Sequence, residues 1–190
     1  MSGPQSPRTI FFIGKPGSGK ETQARLLATK TGYTVLSTGE KFRELRQRYD
    51  ALGEHIRKEY EAGHYMPDWF ADYLFQEAVL NLSSEAGIIF EGSGRTVEQV
   101  ELIDKVLSWL GRNYVFINLD LSNDEAVRRM LGRGRSDSDT EEKIRVRIEQ
   151  YELHSTLALT CITQKGKMMN IPSERSIEDI HTDILAKLGF

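Results

Sequence analysis

Apolar residues fall along this chain in short, strand-sized runs separated by longer segments with helical spacing. Thr9-Ile10-Phe11-Phe12-Ile13 is β-branched or aromatic throughout. A run apolar on both faces predicts an inner strand of a parallel sheet, covered by helices on either side. A Gly-rich turn follows, then Lys20–Thr31, where Ala24, Leu27 and Ala28 make a narrow apolar face and Gly32 supplies a C-cap. Residues 33–36 predict a short second strand. From 40 to 82 the pattern turns polar and helical, with Gly53 and Gly63 as breaks and no strand-like run. That stretch predicts an inserted helical subdomain.

The strand pattern returns at Gly87-Ile88-Ile89-Phe90, at 114–119 and at 167–171. Val97, Val100, Ile103, Val106, Leu107 and Leu110 recur near the 3.6-residue period of a helix. Ser122-Asn123-Asp124-Glu125 has the spacing of a capping box, and 130–139, rich in Gly, Arg and Ser, predicts a loop. Residues 140–159 predict a helix with Ile144, Ile148 and Tyr151 on one side. Ser176 caps a last helix bearing Ile177, Ile180, Ile184, Leu185 and Leu188. Strands alternating with helices imply an α/β sheet with right-handed crossovers.

Composition narrows the function. The 190 residues carry 25 Lys and Arg against 28 Asp and Glu, a net charge of −3. That balance argues against a general duplex-nucleic-acid binder but leaves room for a local basic funnel around a small anion. The longest apolar runs are far short of a membrane span. Cys161 is the sole cysteine, which excludes an intramolecular disulfide and the multi-cysteine metal motifs. His55, His64, His154 and His181 are scattered without metal-ligand spacing, and Trp69 and Trp109 read as packing residues. Residues 1–8 lack the apolar core of a secretory signal. The expectation is one domain spanning 1–190, monomeric and cytoplasmic, with no nucleic-acid or membrane partner.

The first strand runs into Gly14-Lys15-Pro16-Gly17-Ser18-Gly19-Lys20-Glu21-Thr22. Glycines let such a loop turn its backbone N–H groups inward, and the next helix adds its positive N-terminal end. Phosphate binding is the chemistry this arrangement serves, with Lys20 reaching the bond that breaks. The usual pattern has Ser or Thr directly after the lysine; here Glu21 intervenes and Thr22 follows.

That offset threonine is shared with one family. Gly14 to Gln23 resembles the Gly-x-Pro-Gly-x-Gly-Lys-Gly-Thr-Gln loop of adenylate kinases and related nucleoside monophosphate kinases, with Glu21 standing where the family has Gly. Ser37-Thr38-Gly39-Glu40, with Arg43 after it, resembles the family's Ser-Thr-Gly-Asp-x-x-Arg segment. Gly63-His64-Tyr65-Met66-Pro67-Asp68 is similar to its Gly-x-x-Val-Pro-Asp turn. Glu91-Gly92-Ser93-Gly94-Arg95-Thr96 with Gln99 resembles Asp-Gly-Phe-Pro-Arg-Thr with its downstream Gln. Residues 140–147 look like the family's Glu-Glu-Thr-x-x-x-Arg helix.

The resemblance implies a three-layer P-loop NTPase fold on a five-stranded parallel sheet. It divides the chain into a core of 9–39 and 83–190, an acceptor-binding insertion of 40–82 and a very short lid at 132–139. It implies transfer of a phosphoryl group from ATP to AMP, with Mg²⁺ and nucleotides as partners. Lys20, Arg95, Arg133 and Arg147 would be catalytic. Gly14, Pro16, Gly17, Ser18, Gly19, Lys20, Glu21 and Thr22, with Arg129, Arg133 and Arg175, would hold ATP. Thr38, Gly39, Arg43, Met66, Gly92, Arg95, Gln99, Arg135 and Arg147 would hold the monophosphate, Arg135 or Arg145 sharing the lid role. Thr22 and Glu91, the latter through water, would serve the metal. Thr38 favours AMP as acceptor; Ser93-Gly94 in place of Phe-Pro keeps UMP or CMP as a rival. Glu21, Glu91 and the short lid motivate a third reading, a catalytically weak nucleotide sensor or scaffold. Glu21 is expected to turn outward, away from the phosphates.

Overall fold

The run at Thr9–Ile13 forms strand β1, buried at every position. The computed structural model describes residues 6–61, 67–133 and 140–190. After β1 come α1 (Lys20–Thr31), β2 (Thr34–Ser37), α2 (Thr38–Leu45), α3 (Ala51–Glu61) and α4 (Asp68–Leu80). The second half contains β3 (Ile88–Glu91), α5 (Val97–Trp109), β4 (Tyr114–Asp120), α6 (Asn123–Gly132), α7 (Glu141–Gln164), β5 (Met168–Pro172) and α8 (Ile177–Leu188). The five strands pair in the order β2-β3-β1-β4-β5, every pairing parallel.

Alternation along β1 divides the core in two. Phe11 and Ile13 face α4, α5 and α7, meeting Phe75, Val79, Ile103 and Ile162. Ile10 and Phe12 face α1 and α8, meeting Leu27, Ile180 and Ile184. The three-layer α/β expectation is therefore met. Across the first face Phe11 stacks on Phe90 of β3 and Phe116 of β4, with centroids 5.0 and 4.5 Å apart. These rings are register partners on adjacent strands, so the aromatic ladder pins the alignment of the central strands. The chain leaves β1 toward β2 on one side and later returns to β4 on the other. Such a reversal opens a crevice beyond the carboxyl ends of the central strands.

The described residues of segment 40–82 are largely helical, as expected, but these helices do not all stand apart from the sheet. Phe42, Leu45 and Ile56 form a small satellite core with Phe70, whereas Phe75 and Val79 of α4 belong to the main core. Gly53 is no break: it lies inside α3, where a Cβ would fall 2.2 Å from the Arg48 carbonyl oxygen. Gly63 lies outside the described residues.

The capping box at Ser122 does not form, although α6 begins there. Glu125 is taken by Arg128 and Arg129, at 2.5 and 2.6 Å, and the Ser122 N–H donates instead to Glu174 at 2.9 Å. Two guanidinium groups outbid a lone backbone N–H for the carboxylate, and they hold the Glu125 carboxyl down to about 2. Residues 130–132 extend α6 rather than opening a loop, and α7 runs on to Gln164. Trp69 and Trp109 are exposed, at 67% and 80%, against the packing expectation. Cys161 sits within α7, half-buried, and its thiol donates to Glu101 at 3.5 Å.

Candidate active site

The crevice opens into a cleft of about 760 Å³. Its floor is the loop after β1. Gly14, at φ +139, brings the backbone so close to β4 that a Cβ would lie 2.6 Å from the Leu119 carbonyl oxygen. Gly19 is the N-cap of α1 in the left-handed region and offers no capping side chain. The first-turn N–H groups of a helix have no partner within it. Here those of Lys20, Glu21 and Thr22 lie in residues that line the cleft, a ready site for an anion.

Lys20 folds back over this loop. Its Nζ donates to the carbonyl oxygens of Gly14 at 2.7 Å and Lys15 at 2.9 Å. Burial is the largest influence on the ammonium and lowers it to about 8; Glu91 opposes that shift, while Arg95 and Arg133 add to it. Glu91 and Arg95, from the end of β3 and the loop after it, and Arg133, from the end of α6, line the same cleft as the lysine. Lys15 plays a different part, bridging Asn123 at 2.5 Å and Glu152 at 3.3 Å and so tying the loop to α6 and α7.

The second wall is the loop after β3. Ser37 donates to the Glu91 carboxylate at 2.7 Å and accepts from the Glu40 N–H, capping α2. Gly92, at φ +95, lies where a Cβ would be 2.3 Å from Thr38 Oγ1 and 3.0 Å from Arg95 Nη2. Thr38 and Gln99 stand behind the wall rather than on it, each 2% exposed. Thr38 donates to the Glu91 carbonyl at 3.2 Å. Gln99 accepts from the Arg95 N–H at 2.8 Å and donates to Asp68 at 3.4 Å. Both therefore position the loop that carries Arg95.

Among the remaining expected residues, Gly39 and Arg43 line the cleft from α2, and Arg129 and Arg133 from the end of α6. Arg129 is braced by Glu125 and by the Ser173 carbonyl at 2.8 Å. Arg175 enters from the segment before α8, paired with Asp183. Arg145 does not join them; it pairs with Glu141 along the exposed face of α7. Met66 and Arg135 lie outside the described residues, as does all of the expected lid beyond Arg133.

Sequence reasoning missed several lining residues. Tyr151, Ser155 and Leu159 follow Arg147 at intervals of four and share its face of α7. That spacing was a readable signal. Ser93 also lines the cleft; its buried hydroxyl has no hydrogen-bond partner among the described residues. Arg25, one turn beyond Glu21, was missed too. Glu21 does not turn away from the cleft. It lies on the wall, 3.4 Å from Arg25 and 3.9 Å from Arg43, because its own helix supplies one guanidinium group a turn further on and α2 brings the other within reach.

A parallel sheet in this order, with a glycine loop, a half-buried lysine and converging arginines at the carboxyl ends of its strands, defines a phosphate-binding P-loop protein. Residues 12–167 match the family model described as adenylate kinase. Adenylate kinase 1 of a Nostoc species is 32% identical over 181 residues, covering 95% of this chain and 98% of the relative. Adenylate kinase of Thermus thermophilus is 33% identical over 187 residues, covering 96% and 97%. That of Corynebacterium diphtheriae is 35% identical over 183 residues, covering 95% and 98%. The chain belongs to the adenylate kinase family, a family of nucleoside monophosphate kinases. Among the described residues no helix is long and apolar enough to cross a membrane.

Proposed function

We propose that this enzyme transfers the γ-phosphoryl group of ATP to AMP, giving two ADP. The observation that carries this reading is the convergence on one cleft of Lys20, Arg43, Arg95, Arg133 and Arg147 from separate elements. Phosphoryl transfer needs two anionic groups held in line, their charge neutralised and water kept away. The loop N–H groups and Lys20 would grip the donor phosphates, with Arg129 and Arg175 beside them. Arg43 and Arg95 would hold the acceptor phosphate, and Arg133 and Arg147 would close on the group in flight. Arginine suits these positions because its planar fork binds two phosphate oxygens at once and stays charged. Helices α2 and α3 with the start of α4 would form the acceptor-binding element. A monomer suffices for this reading, since one chain supplies the whole cleft, and the single thiol accords with a cytoplasmic setting.

The family implies a magnesium ion. Thr22 and Glu91 offer oxygen donors on the cleft walls. No group of three or more His, Cys, Asp or Glu able to hold a metal occurs among the described residues. That donor set fits an ion that keeps its waters and arrives on the phosphates. When bound it would neutralise phosphate charge; Glu91, held by Ser37, would orient its water.

A coupled ADP-production assay with ATP–Mg²⁺ and each of AMP, UMP, CMP, GMP and dTMP tests the reading. AMP is expected to be the preferred acceptor. A pyrimidine monophosphate is the second reading, favoured by Ser93, which offers a hydroxyl where the resembling kinases carry a ring. Turnover with no acceptor alongside ATP binding would leave the sensor or scaffold reading.

Lys20 also predicts a proton linkage. Its ammonium titrates near 8 in the free enzyme, and phosphates bound beside it stabilise the charged form. Binding of ATP at pH 8.5 is then expected to take up roughly half a proton or more, and affinity should weaken as pH rises above 8. Calorimetry in buffers of different ionisation enthalpy reads this directly. No uptake would mean that Lys20 does not meet the phosphates.

A further inference from the structure

Helices α1 and α2 face each other with a crossed set of charges. Glu21 and Arg25 lie one turn apart on α1; Glu40 and Arg43 lie one turn apart on α2. Arg25 Nη2 is 3.1 Å from one Glu40 carboxylate oxygen and 3.3 Å from the other. Glu21 Oε1 is 3.4 Å from Arg25, and its Oε2 is 3.9 Å from Arg43 Nη2. The four side chains thus alternate in sign around a square. The Arg25–Glu40 side is hydrogen-bonded, while the Glu21–Arg43 side is an ion pair without hydrogen-bond contact. Arg43 is therefore the corner most easily drawn away.

Three of the four, Glu21, Arg25 and Arg43, line the cleft. Glu21 follows Lys20 in the chain and pairs with Arg43 at 3.9 Å, so with Lys20 on the donor phosphates and Arg43 on the acceptor phosphate its carboxylate would lie between the two. On the proposed transfer, the moving phosphoryl group would cross that interval. On the reading above that Arg43 holds the acceptor phosphate, we propose that Glu21 is a specificity-determining residue that makes the acceptor subsite select nucleoside monophosphates over diphosphates.

The physical reason is charge counting. A fixed carboxylate repels a bound phosphate chain in proportion to the chain's charge, and the second phosphate of a diphosphate would lie nearer to it than the first. Glu21 also competes for the guanidinium that the acceptor phosphate needs. A monophosphate bears a modest penalty and takes Arg43. A diphosphate, the product on this side of the reaction, bears a larger one and is urged to leave. Glycine, which the resembling kinases carry here, would bring neither effect. Each pair in the square is partly exposed and individually weak, so the square can open and re-form without disturbing the fold.

Calorimetric titration of AMP and of ADP tests the inference, with the donor subsite filled by a non-hydrolysable ATP analogue so that either nucleotide enters the acceptor subsite. In Glu21→Gln, affinity for AMP is expected to rise about threefold and that for ADP about tenfold, narrowing the preference for AMP. Glu21→Asp, which keeps the charge, should stay close to the native ratio, and about 0.5 M salt should shrink the difference between native and Gln forms. Because the readout is a ratio of two ligands on one protein, a general loss of folded enzyme does not move it. Equal gains for AMP and ADP, no gain, or a loss in Glu21→Gln would overturn the proposal. If neither nucleotide binds the native enzyme beside the donor analogue, the acceptor reading itself fails, and this inference with it.

Discussion

Lys20→Ala is expected to lower turnover by about three orders of magnitude while raising the melting temperature of the free enzyme. The first effect follows from position. The ammonium sits at the end of the phosphate loop, half-buried and bonded to two loop carbonyls, where a cation acts on developing phosphate charge more strongly than in open solvent; losing one such donor costs roughly 10²–10³-fold. The arginines around it cannot substitute. Arg95 and Arg133 are near enough to depress its ionisation, but they stand on other elements and, on the proposed function, would have their own phosphate oxygens to hold.

The second effect follows from the same burial. The folded enzyme holds Lys20 at about 8 against an ordinary 10.5. Below pH 8 the ammonium is protonated in both folded and unfolded chains, so the fold bears the whole cost of enclosing it. That cost fades as pH rises from 8 through 10.5. At pH 7 it is about 3 kcal/mol, partly offset by the bonds to the Gly14 and Lys15 carbonyls. A residue kept for stability would lose both properties together; one kept for chemistry loses activity and gains stability. Turnover within tenfold of native in the coupled assay would place the chemistry elsewhere.

Gly94→Pro is expected to be the most damaging single change outside the phosphate loop, although the resembling kinases carry proline there. Gly94 adopts φ +81, and proline's ring locks φ near −65°. The backbone has no room to comply, because a Cβ at this point already lies 2.6 Å from Phe116 Cε1. Phe116 is wholly buried and stacked on Phe11 at 4.5 Å, so it cannot yield. A loss of about 3 kcal/mol or more is expected, a fall in melting temperature of roughly 6–12 °C for a chain of this size. The acceptor KM should rise as well, since Gly92, Ser93 and Arg95 ride on the same loop. An unchanged melting temperature would show that this loop can take the backbone course that a proline requires.

The inner strands β1 and β3 were legible because burial on both faces leaves an unbroken apolar run, which depends on nothing but local composition. The ends of α1 and α8 were legible for a similar reason. Gly32, in the left-handed region, closes α1, and Ser176 accepts from the Asp179 N–H to open α8; both are settled within a few residues of chain. Gly53 and the Ser122 box were misread by the same local logic. At Gly53 the deciding atom is the Arg48 carbonyl pressed against the helix, and at Ser122 it is Glu174, arriving from beyond β5.

The site divides along the same line. The loop from Gly14 to Thr22, its lysine and the order of the arginine-bearing segments could be read from the sequence alone, since backbone rules and motif spacing suffice for them. Which side of the loop Glu21 would take could not. A charged side chain goes to whichever opposite charge packing brings within 4 Å, and Arg43 arrives only because α2 docks beside α1. Likewise Thr38 and Gln99 carry motif signatures but spend their polar atoms behind the wall, on the Glu91 carbonyl and the Arg95 N–H. By itself the sequence determined the layers, the phosphate loop and the family. Tertiary structure alone decided which polar groups face the cleft and which hold the wall, because those choices are made across space by neighbours remote in the chain.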